Sequence, residues 1–505
     1  MSRLNAQRSW AKRVTAHLGA PVSIQSLVVI RVAFGLILAW DCWRYIKYDR
    51  ISRYYVEPDV LFPFLPFVQP LPEPWIHIVW GGVGLFGVMV ALGLFYRTSI
   101  IALTGIFAYF FLLDRAQYLN HNYMVILFGV LLCFAPAAKA YSLDAWLKPA
   151  TRSEFIPRWP VSAVKLQLEI ILIYAGWVKI TEDWLLRAEP LRDWLHDKQE
   201  EIFFGLLFNY DWAFYVATWG TVALHIIGAP LLLWRRTRLA VFCVYAFFHW
   251  SNATLFNIGI FPWITLALTT IFFAPDWPSR LVGRFLGRFT RSVPATPAPS
   301  LSFRLQPALL TGLAVWFAVQ IYLPERQHLF ANNVGWTGDG HRFSWRMRIY
   351  DRDREGVFRI ISADGAQVWE VDPHDWMARR QARNVIGRPD IAWTYAQHLK
   401  QRWAEQGYPD VAVYADVQMS LNGRPWQQFT DPNVDLTQVP WTWLAATDWV
   451  VPMHPVGSQP AEGSDGRPDG EDIAEPIPFD QLPVPQIELP QVGAAQMELS
   501  ALKAD

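Results

Sequence analysis

The chain has 505 residues, 52% of them hydrophobic, 15% aromatic and 17% charged, with 27 tryptophans. Soluble proteins carry roughly 25% charged residues, so this is a membrane composition diluted by a soluble part. Lys plus Arg and Asp plus Glu balance at 44 each, which gives no global reason to expect a nucleic-acid partner and sends any charge argument to the loops.

A helix needs about 20 mostly apolar residues to cross a bilayer. The sequence predicts about nine such spans, near 24–45, 74–95, 97–114, 120–138, 162–180, 212–234, 237–251, 254–274 and 305–323. Arg3, Arg8, Lys12 and Arg13 precede the first span without a cleavage site after a short apolar run. Residues 1–23 are therefore read as a cytoplasmic N-terminus and the first span as a retained anchor. Basic loops then alternate with neutral or acidic ones. Arg97, then Lys139, Lys148, Arg152 and Arg158, then Arg235, Arg236 and Arg238, then Arg280, Arg284, Arg288 and Arg291 fall on one side. The loop 181–211, with Glu182, Asp183, Glu189, Asp193, Asp197, Glu200, Glu201 and Asp211, falls on the other. Nine spans with the N-terminus inside satisfy the positive-inside rule at each loop and put the C-terminal part outside.

The expected fold is thus a polytopic α-helical bundle over 24–323 followed by an extracytoplasmic β-rich domain over 324–455. Within the latter, Phe343 to Ile349 alternates polar and apolar residues with the period of a half-buried strand. Val411, Val413, Ala415, Val417, Met419 and Leu421 alternate likewise and run into Asn422-Gly423, a type I′ hairpin signal. Between the two, Asp390 is placed to cap a helix with apolar positions Ile391, Ala396, Leu399 and Trp403 and an end at Gly407. Residues 456–505, rich in Pro, Gly and acidic side chains, read as a disordered tail. Cys42, Cys133 and Cys243 are too far apart for a redox or zinc motif and are read as packing residues.

An ionisable group inside a span costs about 2.5 to 3.5 kcal/mol on insertion scales, so each asks for a reason. Lys179 lies near the outer end of the fifth span, where loss of water favours the neutral amine and makes it a proton acceptor. The alternative is a lysine that snorkels to the interface beside Glu182 or Asp183. His121 opens the fourth span and His249 closes the seventh, so with Lys179 they converge on the outer face, accompanied by Asn120, Asn122 and Asn252. Taken singly, interfacial His and Asn also serve purely structural hydrogen bonding. Arg31 and His225 fall deeper, where pairing with a carboxylate or a backbone carbonyl is expected, and Glu169 is a candidate partner for Arg31. No His or Cys spacing suits a metal.

Four groups of residues resemble the vitamin K-dependent gamma-glutamyl carboxylases. They are His249 to Val282, beginning His-Trp-Ser-Asn-Ala-Thr-Leu-Phe; the Asn120-His121 segment; Ala175-Gly-x-x-Lys179 with Asp183-Trp184; and Gly335-Trp-Thr with Phe343-Ser-Trp345. The resemblance spans roughly 24–455. It identifies a bacterial-type member carrying the horizontally transferred transmembrane domain, expected in a bacterial inner membrane. It implies a carboxylating carbon–carbon lyase that uses a reduced naphthoquinone (vitamin K hydroquinone), O2 and CO2, and releases the quinone epoxide as a peptide glutamate becomes γ-carboxyglutamate. The family's lysine base falls on Lys179 and its assisting histidine on His121. Asn120, Asn122, His249, Asn252, Trp177 and Trp345 become candidates for holding quinone or substrate. Membrane lipid, an isoprenoid quinone and a glutamate-containing peptide or protein are the implied partners, with no metal. His341 stands where vertebrate members have a tyrosine, and the outer region that grips a propeptide in those members is replaced by the acidic tail.

Two readings compete with a carboxylase. A quinone epoxidase without protein carboxylation fits the same residues, and a transporter could use Arg31, Glu169 and His225 as a solute path. An inactive scaffold is a third. The sequence shows neither an inverted repeat nor paired broken spans that would favour transport.

Overall fold

The computed structural model describes residues 12–201, 203–256, 258–286, 303–330, 332–441 and 447–454. The predicted disordered tail, residues 1–11 of the N-terminal segment, and Arg288 and Arg291 lie outside the described residues.

Nine helices coincide with the nine apolar stretches: α1 Gln25–Lys47, α2 Trp75–Leu92, α3 Tyr96–Leu113, α4 Asn120–Phe134, α5 Trp159–Trp177, α6 Asp211–Leu233, α7 Arg238–Leu255, α8 Phe261–Phe272 and α9 Pro307–Glu325. Five of them, α1, α2, α3, α6 and α9, are long and apolar enough to cross a membrane, whereas α4 and α8 are apolar but short. Gly35 and Gly87 let α1 and α2 touch backbone to backbone, since a Cβ at Gly35 would lie 2.3 Å from the Gly87 carbonyl. Helix α6 is interrupted by a π turn at Leu224–Gly228.

The C-terminal domain is a four-stranded antiparallel sheet in the order β2-β1-β3-β4, with β1 Arg352–Ile361, β2 Val368–Val371, β3 Ala412–Leu421 and β4 Gln427–Gln428. Helices α10 Arg379–Gly387 and α11 Pro389–Glu405 pack against it, so the domain is mixed rather than simply β-rich. The alternation at 411–421 predicts its strand correctly, because Val413, Ala415, Val417, Met419 and Leu421 all face the core with Phe358, Ile391, Leu399 and Trp403. The turn after it is also as predicted. Asn422 and Gly423 both adopt positive φ and the Leu421 carbonyl accepts the Arg424 N–H at 3.2 Å.

Three expectations fail for identifiable reasons. Phe343–Ile349 is a loop, with positive φ at Phe343, Trp345 and Arg348. Its alternation reflects Phe343 and Trp345 packing into the helical core while Arg346 and Arg348 turn towards a cavity. Asp390 does not cap its helix. It is the second residue of the helix, after Arg388 at the cap position, and its Oδ2 pairs with Arg342 at 2.6 Å and Arg115 at 3.2 Å. Glu169 does not meet Arg31, whose guanidinium donates instead to the carbonyls of Ala91, Ala137 and Tyr141. Among the cysteines, Cys243 is exposed on the bundle surface rather than packed.

Candidate active site

A cavity of about 570 Å³ opens where the helical bundle meets the C-terminal domain. Its floor and walls come from the C-terminal ends of α1, α5 and α7, the N-terminal ends of α4 and α8, and the middle of α6. The roof comes from the loop 341–348 and from α10. Phe343 and Trp345 fix that loop to the bundle, the ring of Trp345 stacking on Tyr123 with centroids 5.2 Å apart.

Lys179 lies in the wall, two residues beyond the end of α5 and 6% exposed. Its Nζ donates to the carbonyl of Ala175 at 3.0 Å and that of Met347 at 3.1 Å, and it stands 5.3 Å from the ring centroid of Trp184. A neutral amine has two N–H groups and one lone pair, so two carbonyl acceptors use both hydrogens and leave the lone pair free. Burial, with the Arg346 guanidinium as a second cause, pushes Lys179 down to about 7. The snorkelling alternative offers Glu182 or Asp183 as a partner. Asp183 is instead claimed by Arg424, with two bonds of 2.6 and 2.7 Å, and by Arg187 and Asn422. Lys179 has no ion pair among the described residues.

His121 and Asn120 line the cavity at the start of α4. Asn120 is fixed from both sides, donating to the Arg346 carbonyl at 2.9 Å and accepting from the Tyr118 hydroxyl at 2.9 Å. Asn252 also lines the cavity, although its amide donates back to the Phe248 carbonyl at 2.8 Å. The structure does not bring the other predicted positions to the surface of the cavity. His249 is buried behind Phe248 and Phe261. Asn122 lies one residue past the lining, Trp345 is in the core, and Trp177 points away, 53% exposed. A helix end carries side chains in several directions, and sequence spacing near the end does not say which of them turn inward.

Sequence reasoning missed the arginines. Eight of them line the cavity, among them Arg346, Arg348, Arg380 and Arg388, and Asp41 is the only carboxylate beside them in the lining. They come from four separate stretches of chain, so no local run betrays them. The lining also has an apolar part that includes Phe248, Phe256, Ile260 and Phe261. Arg348 bridges the two surfaces, its guanidinium 4.5 Å from the ring centroid of Phe256 and 5.2 Å from that of Trp194. The cavity can therefore hold a molecule with an apolar body together with an anion, beside an amine that can take a proton. No group of His, Cys, Asp and Glu able to hold a metal ion occurs among the described residues.

Comparison with known families agrees with this geometry. Residues 20–277 match the HTTM domain, and residues 305–455 match the lumenal domain of vitamin K-dependent gamma-carboxylase. No solved structure matches the chain. The five apolar helices and the lumenal-type domain make this a membrane protein with an extracytoplasmic C-terminal domain. The two matched regions bound the cavity from below and above, and the chain belongs to the vitamin K-dependent gamma-carboxylase family.

Proposed function

We propose that the protein couples oxidation of a reduced naphthoquinone to carboxylation of a peptide glutamate at its γ-carbon. Membership of the family implies vitamin K hydroquinone, O2 and CO2 as the reactants. The bound hydroquinone would supply the reducing equivalents for O2, and its oxidation would supply the driving force for removing a weakly acidic C–H proton. The residues fit such a group, since the apolar side chains of Phe248, Phe256, Ile260 and Phe261 line the same cavity of ordinary ligand size as a buried amine.

Lys179 acts as general base and takes a hydroxyl proton onto its free lone pair. The carbonyls of Ala175 and Met347 hold the amine by its two hydrogens and so aim that lone pair. Asn120 and His121 orient the reacting glutamate, and the arginines hold its carboxylate and the second carboxylate that CO2 adds. The observation that carries this reading is that Lys179 is buried in the cavity, bonded to two carbonyls and unpaired with any described carboxylate.

The test is incubation of the purified protein with reduced menaquinone or phylloquinone, O2, labelled CO2 and a glutamate-containing peptide. Quinone epoxide and label in the peptide should appear together. Epoxide without label would make the protein an epoxidase alone, and neither product would overturn the proposal in favour of transport or scaffolding.

A further inference from the structure

We propose that His225, His249, Tyr245 and Glu169 form an inward proton path that discharges Lys179 between turnovers. This rests on the reaction proposed above. In that reaction hydroquinone and O2 give epoxide and water, while a C–H bond and CO2 give a carboxylate and one proton. Each turnover thus leaves one net proton in the cavity. Towards the outer domain that proton faces the arginines of the roof, whose charge repels it. Away from them lies a set of buried titratable groups that no other feature of the fold explains.

The geometry begins at Gly176, where a Cβ would lie 2.7 Å from the Cβ of His225. This close approach of α5 and α6 sets His225 beside Gly176, three residues before Lys179, on the same cavity wall and within electrostatic reach of its amine. His225 Nδ1 bonds the Thr221 carbonyl at 2.8 Å. A carbonyl only accepts, so Nδ1 carries the hydrogen and Nε2 is left to receive a proton. His225 also sits in the π turn of α6, a distortion found frequently at functional sites. Its ring lies 5.8 Å from that of Tyr245, whose hydroxyl donates to the Leu224 carbonyl in the same π turn at 3.0 Å.

Tyr245 and His249 are the only described buried residues of α7, and their rings stack with centroids 6.1 Å apart. His249 is 2% exposed and neither ring nitrogen has a partner. Glu169, 8% exposed, lies two turns further into the bundle than Gly176 on α5, within electrostatic reach of Tyr245, and both of its carboxylate oxygens lack a partner. Buried polar atoms without partners are costly and rare. Two such side chains flanking one tyrosine, beside a histidine with a free nitrogen next to the base, are explained by protons that arrive and leave.

Two variants test the path, His249→Phe and Glu169→Gln, in protein reconstituted in vesicles with reduced quinone and O2. The first turnover, followed after rapid mixing, should keep its rate, whereas steady-state epoxide formation should fall by about 10²-fold, the scale of a lost proton-transfer group. Added imidazole should restore it in His249→Phe. Equal slowing of the first and later turnovers, or no slowing in either variant, would overturn the path. A second readout needs no turnover. In infrared difference spectra on acidification, a protonated-carboxyl band should vanish in Glu169→Gln and shift in Lys179→Met. A band unmoved by Lys179→Met would overturn the coupling even in an active enzyme. Absence of epoxide in wild-type protein that retains the shift would instead count against the proposed reaction and leave the path standing.

Discussion

The Nζ of Lys179 donates to the carbonyl of Met347 at 3.1 Å, so the amine at the end of a bundle helix is held by a loop 168 residues later in the chain. A mobile surface lysine would not be tied in this way. Replacing it by methionine keeps the stem and removes the amine. Lys179→Met should stay folded while epoxide formation falls by roughly 10² to 10⁴-fold, measured by mass spectrometry of the quinone products.

The same amine sets a pH dependence. Only the neutral form can accept a proton, and burial pushes Lys179 down to about 7. The rate should therefore rise with pH through about 7 and level off above it. A lysine at its ordinary value would still be gaining activity near pH 10. A flat profile across pH 6 to 8 would remove the amine from the rate-limiting proton transfer.

Arg380 lines the cavity and makes no ion pair among the described residues, in contrast to Arg342 and Arg115, which share Asp390. It is thus free for a bound anion. Charged hydrogen bonds contribute about 1.5 to 3 kcal/mol, or roughly 10- to 100-fold in binding. Arg380→Gln should raise KM for a glutamyl peptide by that factor and leave KM for the quinone nearly unchanged. Steady-state kinetics with each substrate varied in turn would show the opposite pattern if Arg380 served the quinone.

Asp390 joins the two parts of the protein by bridging Arg342 of the loop and Arg115 of the turn after α3. Burial alone would raise its pKa, yet the two guanidiniums hold it below the usual carboxylate range. A depressed folded value contributes stability at neutral pH that is lost as pH falls below about 4. Asp390→Asn leaves two buried cations uncompensated and should cost about 3 to 5 kcal/mol. The apparent Tm in detergent should fall at pH 7 and converge with that of the parent towards pH 3.

The orientation can be tested separately. Reporters fused after residues 20, 145 and 290 should read cytoplasmic, and one fused after residue 455 extracytoplasmic, because basic loops alternate with neutral or acidic ones. A cytoplasmic reading at 455 would put the cavity on the wrong face for a peptide arriving from outside.

What the sequence reveals here divides by range. The helices were legible because apolar runs such as those of α1 and α2 are local, and β3 because six alternating residues declare one buried face. Lys179, His121 and Asn120 were legible as polar groups at helix ends, where each has to be accounted for. The arginines were not, since Arg44, Arg115, Arg346 and Arg380 meet only after the C-terminal domain folds back over the bundle. Asp390 failed for the same reason, since Arg115 and Arg342 lie far from it in the chain, and Glu169 because sharing a depth in the bundle does not bring two spans into contact. The Phe343–Ile349 alternation shows the limit of periodicity, because two-sidedness arises equally from a strand and from a loop pinned between a core and a cavity.

The roof contributed by the loop 341–348 also carries an implication for biogenesis. The helices through α8 emerge from the ribosome well before residue 341, and until the later segment arrives they hold an open bowl of water rather than a closed chamber. Without the Met347 carbonyl and the covering arginines, Lys179 is a hydrated ammonium with no reason to give up its proton. Newly inserted chains should therefore stay chemically silent towards oxygen until the C-terminal domain has folded over them, which protects the membrane around an unfinished enzyme.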